Sequence, residues 1–549
     1  MCFVPTSGKI FRKFYPLVFL FMIQITQTIN IDLLIVGSGI AGLSAAVEAK
    51  EKGINTLLIS KSTIGSGASY FPLKATLGIQ VTGDEADKIH FKEDIENIGK
   101  GKINPNVVQA YIEDSPQAIE LLHRIGFQPW KRNDNRPACF AKYPRPIYLI
   151  KDWRESALRA KQILQEQHID FYENATLLHI VTDNNQVQGA VFSLTTSGQI
   201  SYIFCKTKHL ILAAGGIAGL YKDNLYPADV IGSLHYVAQQ AGATLVNLAF
   251  IQFIPAFVEP KYKVLFGEHT LKYVTQITDS KGNNLFPHLN AEQFAKMVLE
   301  RSHYAPFSLD FAGVEFDLVM MKHLLENPHE KGIYLKYSPK LYEDTEEFYT
   351  VYLNWLKNEV GIDLVQDKIA IKPFAHSCNG GIQINQWGES AVKGLFAIGE
   401  ISHCIEGANR MGGNSVGGGL VFAKRAVSEI VRSLEQNDLQ KNSEISPLAM
   451  AEKALNQLAN STANLELTAS EVLSTIREKM ALYANVYRTR SNLKLLLEEL
   501  NRLEQEFDPI YHAQYQGIEI YNALKTAQLV VNQMLNEQSL GAHYLDEQN

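Results

Sequence analysis

Residues 406–422 read EGANRMGGNSVGGGLVF, and one cation, Arg410, stands there among six glycines. The stretch lies just after a Gly-Glu pair, Gly399-Glu400, and runs into a segment that reads as the start of a helix. Near the other end of the chain, Gly37, Gly39 and Gly42 form G-x-G-x-x-G directly after the apolar run IDLLIV. That spacing has a mechanical reading. The first glycine allows a tight turn, the second lets backbone approach a pyrophosphate, and the third lets helix pack on strand. The phosphates then rest on a helix N-terminus, whose free N–H groups and dipole favour anions. The acid that would hold a ribose at the end of the next strand is missing; Ser60-Lys61 occupies its place, which weakens a plain NAD reading. Beyond it, TIGSGASYFPLKATLG is rich in Ser and Gly, suited to wrapping a diphosphate or a flavin edge with backbone and hydroxyl donors.

The elements that must position these residues follow from pattern. IDLLIVGSGIAGLSAAVEAKEKGINTLLISKS reads strand, glycine turn, helix, strand, and the first strand is apolar throughout, as in a parallel strand covered on both faces. HLILAAGG near residue 210 and KGLFAIGE near residue 395 read as further strands. Between 255 and 365 the chain is aromatic-rich and Pro-bounded with mixed short elements, as in an inserted lid. From about 436 it is helical, REKMALYANVYRTRSNLKLLLEELNRLEQEF carrying apolar positions at helical spacing. No internal repeat or low-complexity tract is seen.

A chain of 549 residues can bury two or three cores, and 46% apolar with 20% charged residues fits an ordinary soluble enzyme. The net charge of −7 is spread along the chain and gives no nucleic-acid footprint. The cluster Lys131, Arg132, Arg136, Lys142 and Arg145 reads as a solvated loop. The five cysteines, Cys2, Cys139, Cys205, Cys378 and Cys404, form no CxxC pair, which argues against an iron–sulfur cluster or metal site on this chain and for a reducing compartment. The basic residues Lys9, Arg12 and Lys13 precede a short apolar run, Leu17 to Ile23, well under the ~20 residues of a spanning helix. It resembles a signal peptide without a cleavage site, and Met22 opens a lead-in of sensible length. The expected location is cytoplasmic, or membrane-associated or exported if that run is a real signal.

Taken in order, SKSTIGSGAS, SPQAIELLHRIGF, LAAGG, HSCNGGIQIN, GLFAIGE, GANRMGGNS and the tail EQSLGAHYLDE resemble the flavoprotein subunits of succinate dehydrogenase and fumarate reductase, with L-aspartate oxidase. The resemblance covers about residues 31 to 546. It implies an α/β chain: a Rossmann-like FAD-binding domain at 31–254 and 366–435, an inserted α+β capping domain at 255–365, and a helical domain at 436–549, after an extension at 1–30. It implies an FAD-dependent oxidoreductase moving a hydride between flavin N5 and a small carboxylate. The cofactor set it implies is Gly37, Gly39, Ile40, Ala41, Gly42, Ser60, Lys61, Ser66, Gly67, Ala68, Ser69, Ala214, Gly215, Gly216, Ser233, Gly399, Glu400, Asn414, Ser415 and Val416. Gly399-Glu400 would meet ribityl or ribose hydroxyls, and Asn414-Ser415-Val416 would bring a positive helix end to the flavin's pyrimidine edge. Arg410 would grip a substrate carboxylate and His376 would hydrogen-bond it.

The family pattern also breaks. GSGASYF holds no histidine where some members link flavin, so FAD is expected to be noncovalent. Ala249 and Ile254 replace a Glu and a substrate-facing His, and Gly232-Ser233-Leu234 replaces G-D-G. Leu271 stands where the proton-shuttling Arg is usual, Leu540 where the tail carries Arg. Glu268 keeps its place, and Lys272 would substitute for the arginine only on a register shift of one, so these two are the candidate proton carriers. Two of four polar substrate positions survive, on one side of the site. The readings within the family are L-aspartate oxidase or fumarate reductase proper; outside it stands a flavin electron-transfer protein without turnover. The electron acceptor (oxygen, quinone or a redox partner protein) stays open, and membership of a membrane complex would need a separate iron–sulfur subunit.

Overall fold

The computed structural model describes residues 23–71, 77–134, 136–138, 140–436, 446–458, 467–510 and 515–547. The basic and apolar run before Ile23 lies outside them. Leu33–Val36 is apolar on every residue and wholly buried, so it pairs on both edges in parallel: His209–Leu212 on one side and Thr56–Ile59 on the other. Leu395–Ala397 and Asp170–Tyr172 complete a five-stranded all-parallel sheet. The helix Ile40–Glu51, which follows the glycine turn, buries all but its last two residues and packs against the long helix Asn414–Gln436. Two pieces of sequence far apart, the G-x-G-x-x-G turn and the Arg410 stretch, are thereby brought to one face.

A second sheet orders Gln27–Asn30, Gln199–Lys206, Gln186–Thr196 and Ala175–Asp183, the first pair parallel and the rest antiparallel. Part of the expected 1–30 extension therefore belongs to the body of the fold: Gln27–Asn30 is a strand, and Ile23 is buried with its amide 2.8 Å from Asn456 Oδ1. The lid region carries a five-stranded sheet with Val264–Leu265, Ile251–Glu259, Ile369–Cys378, Ile333–Tyr337 and Val274–Thr278 in that order, all antiparallel. Ile251–Glu259 crosses the expected limit at 254, and its partner Ile369–Cys378 lies wholly beyond the one at 366; antiparallel pairing from Ile251 to Cys378 holds the two as one ribbon. Helices Ala469–Tyr483, Arg490–Glu506 and Tyr515–Asn536 form a separate apolar cluster at the C-terminal side. Among the described residues no helix is long and apolar enough to cross a membrane.

The basic cluster splits. Lys131, Arg136 and Lys142 are exposed, but Arg145 is buried and its guanidinium lies 2.7 Å from Asp94, 3.4 Å from Asp87 and 4.1 Å from the centre of the Phe91 ring. The solvated-loop reading fails there because the neighbouring helix Glu85–Gly99 turns two carboxylates inward, and a charge pays for burial only when paired. Arg145 also donates to Gln80 Oε1 at 3.0 Å, and Gln80 Nε2 donates to Gly412 O at 2.6 Å, so this pair braces the Arg410 loop. Arg145→Met should strand two buried carboxylates and cost about 3–5 kcal/mol, which thermal unfolding would read as a large drop in Tm.

Candidate functional site

A cavity of about 390 Å³ opens where the parallel strands end. The glycine turn forms one wall. Gly37 takes φ +111°, and a Cβ there would fall 2.3 Å from Ala213 O, while a Cβ on Gly42 would fall 1.8 Å from Gly37 O. Backbone therefore lies directly against backbone, and the N-terminus of the Ile40–Glu51 helix faces the cavity, with Gly39 at its cap position and Ile40 N donating to Ser69 Oγ at 3.1 Å. Of the residues expected to hold cofactor, Gly37, Gly39, Ile40, Ala41, Ser60, Lys61, Ser66 to Ser69, Ala214, Gly215, Ser233, Gly399, Glu400, Ser415 and Val416 line the cavity. Gly42, Gly216 and Asn414 sit behind the lining. Gly42 serves the helix contact, Gly216 leaves room for Glu400 and Tyr226, and Asn414 Oδ1 lies 3.5 Å from the Tyr111 hydroxyl.

This lining fits FAD on its own chemistry. A helix N-terminus with no acid in its first turn, a turn too tight for a Cβ at Gly37 or Gly42, and Ser and Gly donors around it match a pyrophosphate. Glu400 accepts from Tyr226 OH, from Ser377 Oγ at 3.0 Å and from Cys378 N at 3.1 Å. Burial holds its carboxyl above the ordinary range, with those donors opposing.

Arg410 lines the same cavity. Its Nη1 donates to Ser415 Oγ at 2.7 Å and weakly to Ser377 Oγ at 3.5 Å, and its Nη2 meets His376 Nε2 at 3.0 Å. Among the described residues no carboxylate forms an ion pair with Arg410, and its Nε is buried with no partner. Two acids stand one serine away: Ser415 Oγ donates to Glu406 Oε1 at 3.1 Å, and Ser377 Oγ donates to Glu400. Burial raises the Glu406 carboxyl above its usual value, against the pull of Arg410 and Ser415. Since a guanidinium nitrogen can only donate, His376 Nε2 is the acceptor in this bond.

The rest of this wall is apolar: Ile254, Leu265 and Leu225 line the cavity beside Tyr226 and Phe71. The two expected proton carriers are elsewhere, since neither Glu268 nor Lys272 borders the cavity. Glu268 opens the short helix Glu268–Tyr273 inside the lid, buried, with Oε1 unpartnered and its carboxyl pushed well above the usual range by burial. Burial alone would lower the Lys272 ammonium, but bonds to Tyr349 and Asp344 hold it above its usual value; its Nζ is 3.1 Å from Asp344 and 4.4 Å from the Tyr349 ring centre. Leu271 is fully buried in the lid core.

Sequence reasoning missed Ser377, Tyr226, Asp229 and Glu519 in the lining, and also the role of the tail. Gly541 lies at φ +52°, and a Cβ there would fall 2.6 Å from Ala408 O; Ala542 N donates to that same oxygen at 3.0 Å. The tail thus clamps the loop that carries Arg410. The signal was its motif-like GAHY, whose partner could not be named without coordinates.

A family model described as the FAD binding domain matches residues 32–416. Relatives include an uncharacterized FAD-dependent oxidoreductase of Methanocaldococcus jannaschii, 25% identical over 94% of this chain and 93% of that protein. The fumarate reductase (CoM/CoB) of Methanothermobacter marburgensis has one polypeptide that is 25% identical, with 94% of each chain covered. The L-aspartate oxidase of Vibrio cholerae is 26% identical over 93% of this chain and 95% of that one. Among solved structures, Sdh1 of Mycobacterium smegmatis in complex with UQ1 has a TM-score of 0.75 at 21% identity, covering 95% of this chain and 89% of that one.

Gly541→Ala should displace the Arg410 loop through both its φ and its contact with Ala408. A loss of about 1–3 kcal/mol in stability is expected by thermal unfolding, with flavin retained in the purified protein.

Proposed function

The chain belongs to the family of the FAD binding domain and is an FAD-dependent oxidoreductase, and we propose that its substrate is a small carboxylate held by Arg410 and His376. FAD, when bound, supplies the flavin that gives or takes a hydride; without a histidine in the GSGASYF loop it is held noncovalently. The observation that carries the substrate reading is the Arg410 guanidinium, lining the cavity without an acidic partner and with its Nε unsatisfied. Such a group gains most from an incoming carboxylate, which makes charge-assisted, bidentate bonds to it. Ser377 and Ser415 fix the plane of the guanidinium, and His376 takes up one of its outer donors, so the fork is oriented before substrate arrives.

The remainder of the substrate would face Ile254, Leu265 and Leu225. A second carboxylate against those side chains would be desolvated without a partner, whereas an alkyl or aryl group would gain about 25 cal/mol for each Å² removed from water. The best-fitting substrate is thus a carboxylate with an apolar opposite end, rather than succinate, fumarate or aspartate. For the proton, we take Glu406 acting through Ser415, the hydroxyl that accepts from Arg410 Nη1 at 2.7 Å and donates to Glu406 at 3.1 Å. When Glu406 is protonated it donates to Ser415 Oγ, which frees the Ser415 hydroxyl proton for the cavity. We favour this pair over Glu268 and Lys272, which lie inside the lid and do not border the cavity. The oxidase and the reductase found among the relatives support two routes for the electrons, to oxygen or to a partner chain.

Monitoring the flavin absorbance under anaerobic conditions against a panel of mono- and dicarboxylates tests this directly. Bleaching by apolar monocarboxylates ahead of succinate and L-aspartate is expected; bleaching by succinate or L-aspartate alone would overturn the apolar-end reading, and an unresponsive flavin would favour electron transfer without turnover. Arg410→Met should raise KM at least about 100-fold, from loss of a buried charge-assisted bond. Glu406→Gln should lower kcat about 100-fold with no rise in KM.

A further inference from the structure

The strand Thr56–Ile59 ends at Ser60-Lys61, where a dinucleotide fold ordinarily turns an acid toward the adenosine ribose. An acid does reach that place, but from a different part of the chain. Glu519, on the C-terminal helix Tyr515–Asn536, lines the same cavity, and its Oε1 lies 2.6 Å from Lys61 Nζ. It is only 5% exposed. Lys61 Nζ also donates to the Asp229 carbonyl at 2.8 Å, and Ser62 Oγ donates to the Asp229 carboxylate at 2.6 Å.

We propose that Glu519 and Lys61 together form the clamp for the adenosine ribose of FAD. The inference rests on FAD as the cofactor and is independent of what Arg410 binds. An ammonium has three donors, and two are committed to Glu519 and Asp229, which leaves one for a ribose oxygen. A carboxylate has about four acceptor positions, and Lys61 uses one, which leaves room to accept from a ribose hydroxyl. Each ribose hydroxyl is both donor and acceptor, so the acid and the ammonium satisfy its two roles side by side. Lys61 alone cannot do this, because it accepts nothing. The pairing also gives a buried carboxylate on the C-terminal helix a partner: burial raises its carboxyl, and Lys61 opposes that shift.

The arrangement joins cofactor binding to the docking of that helix. Its other ties include Thr526 Oγ1, which donates to Gly232 O at 3.0 Å and accepts from Tyr236 N at 3.3 Å, and Gln533 Oε1, which accepts from Leu248 N at 2.7 Å. FAD bound by Glu519 therefore adds a tie between the parallel-sheet domain and the helical one.

The test compares FAD with FAD analogues lacking the 2′- or the 3′-hydroxyl of the adenosine ribose. Dissociation from the holoprotein or reconstituted protein is followed by the recovery of flavin fluorescence. Wild type should hold FAD 10- to 100-fold tighter than at least one analogue, the range expected for a hydrogen bond to a charged group. Glu519→Gln should weaken FAD within that range and shrink the preference, and Glu519→Ala should remove the preference. If the variants weaken FAD and its analogues equally, Glu519 acts only on packing and the clamp is wrong. Unchanged affinity in Glu519→Gln, or a wild type indifferent to both hydroxyls, overturns it as well. Wild type purified without flavin and unable to take it up would instead bring down the cofactor reading itself.

Discussion

A guanidinium in a largely apolar wall is costly when no carboxylate answers it, and Arg410 is placed so, with two serines and one histidine as its partners. Holding the charge there takes contributions from four distant pieces of chain. The start of the long helix brings Ser415, and the strand Ile369–Cys378 brings His376 and Ser377. Asn409, next in sequence, donates to Asp310 at 2.7 Å and to Ile98 O at 3.2 Å, and the tail around Gly541 closes on Ala408. Each of these contacts is local and modest; their sum fixes a loop that has Gly407 before the arginine and Gly412-Gly413 after it.

The same antiparallel ribbon explains why the site is polar on one part of its wall and apolar on another. Ile254 and Phe374 are paired across it, and the register slips between Gln252 and Phe253, opposite Ser377 and Ala375. An extra residue in one strand turns a side chain to the other face. His376, one of the residues near this irregularity, reaches Arg410, while Ile254 on the facing strand points into the same cavity and into a small cluster with Leu225, Ala256 and Phe374. With Ile254 in that cluster, a polar residue there would have to leave packed neighbours. The lid beyond this ribbon has filled its interior in a matching way: Leu271 packs among aromatic residues, and Lys272 is drawn outward to Asp344.

Sequence alone revealed what depends on short spacing. The glycine turn, the parallel strands beside it, the lid as a break in pattern, and the helical C-terminal part were all legible, because each is written in consecutive residues. The four-stranded sheet over 27–206 was not, since its strands Ala175–Asp183 and Gln186–Thr196 are buried on most positions and lose the alternation that marks a half-exposed strand. Arg145 was misjudged for a related reason: its neighbours in sequence are polar and exposed, and only the packing of helix Glu85–Gly99 buries it. The candidate site was half legible. His376 and Arg410 could be named from motif, but their mutual contact, Glu406 behind them and Glu519 beside Lys61 join residues with no sequence relation.

Glu406 adds a coupling between charge and binding that motif reading could not supply. While it is ionised, its field partly cancels that of Arg410 through the single intervening hydroxyl, which weakens the pull on an incoming anion. Protonated, it leaves Arg410 with its full charge. A carboxylate that binds Arg410 therefore favours the protonated form of Glu406, since a second negative charge nearby raises a carboxyl further, in the direction burial has already moved it. By reciprocity, protonation of Glu406 tightens the grip on the carboxylate by the same factor. On the proposed reading, a bound carboxylate thus favours the protonated acid from which Ser415 can pass a proton on, and Glu406 ionises when that proton is given up. A salt bridge from Glu406 directly to Arg410 would have removed both effects; the interposed serine keeps the two charges close enough to sense each other and too far apart to neutralise.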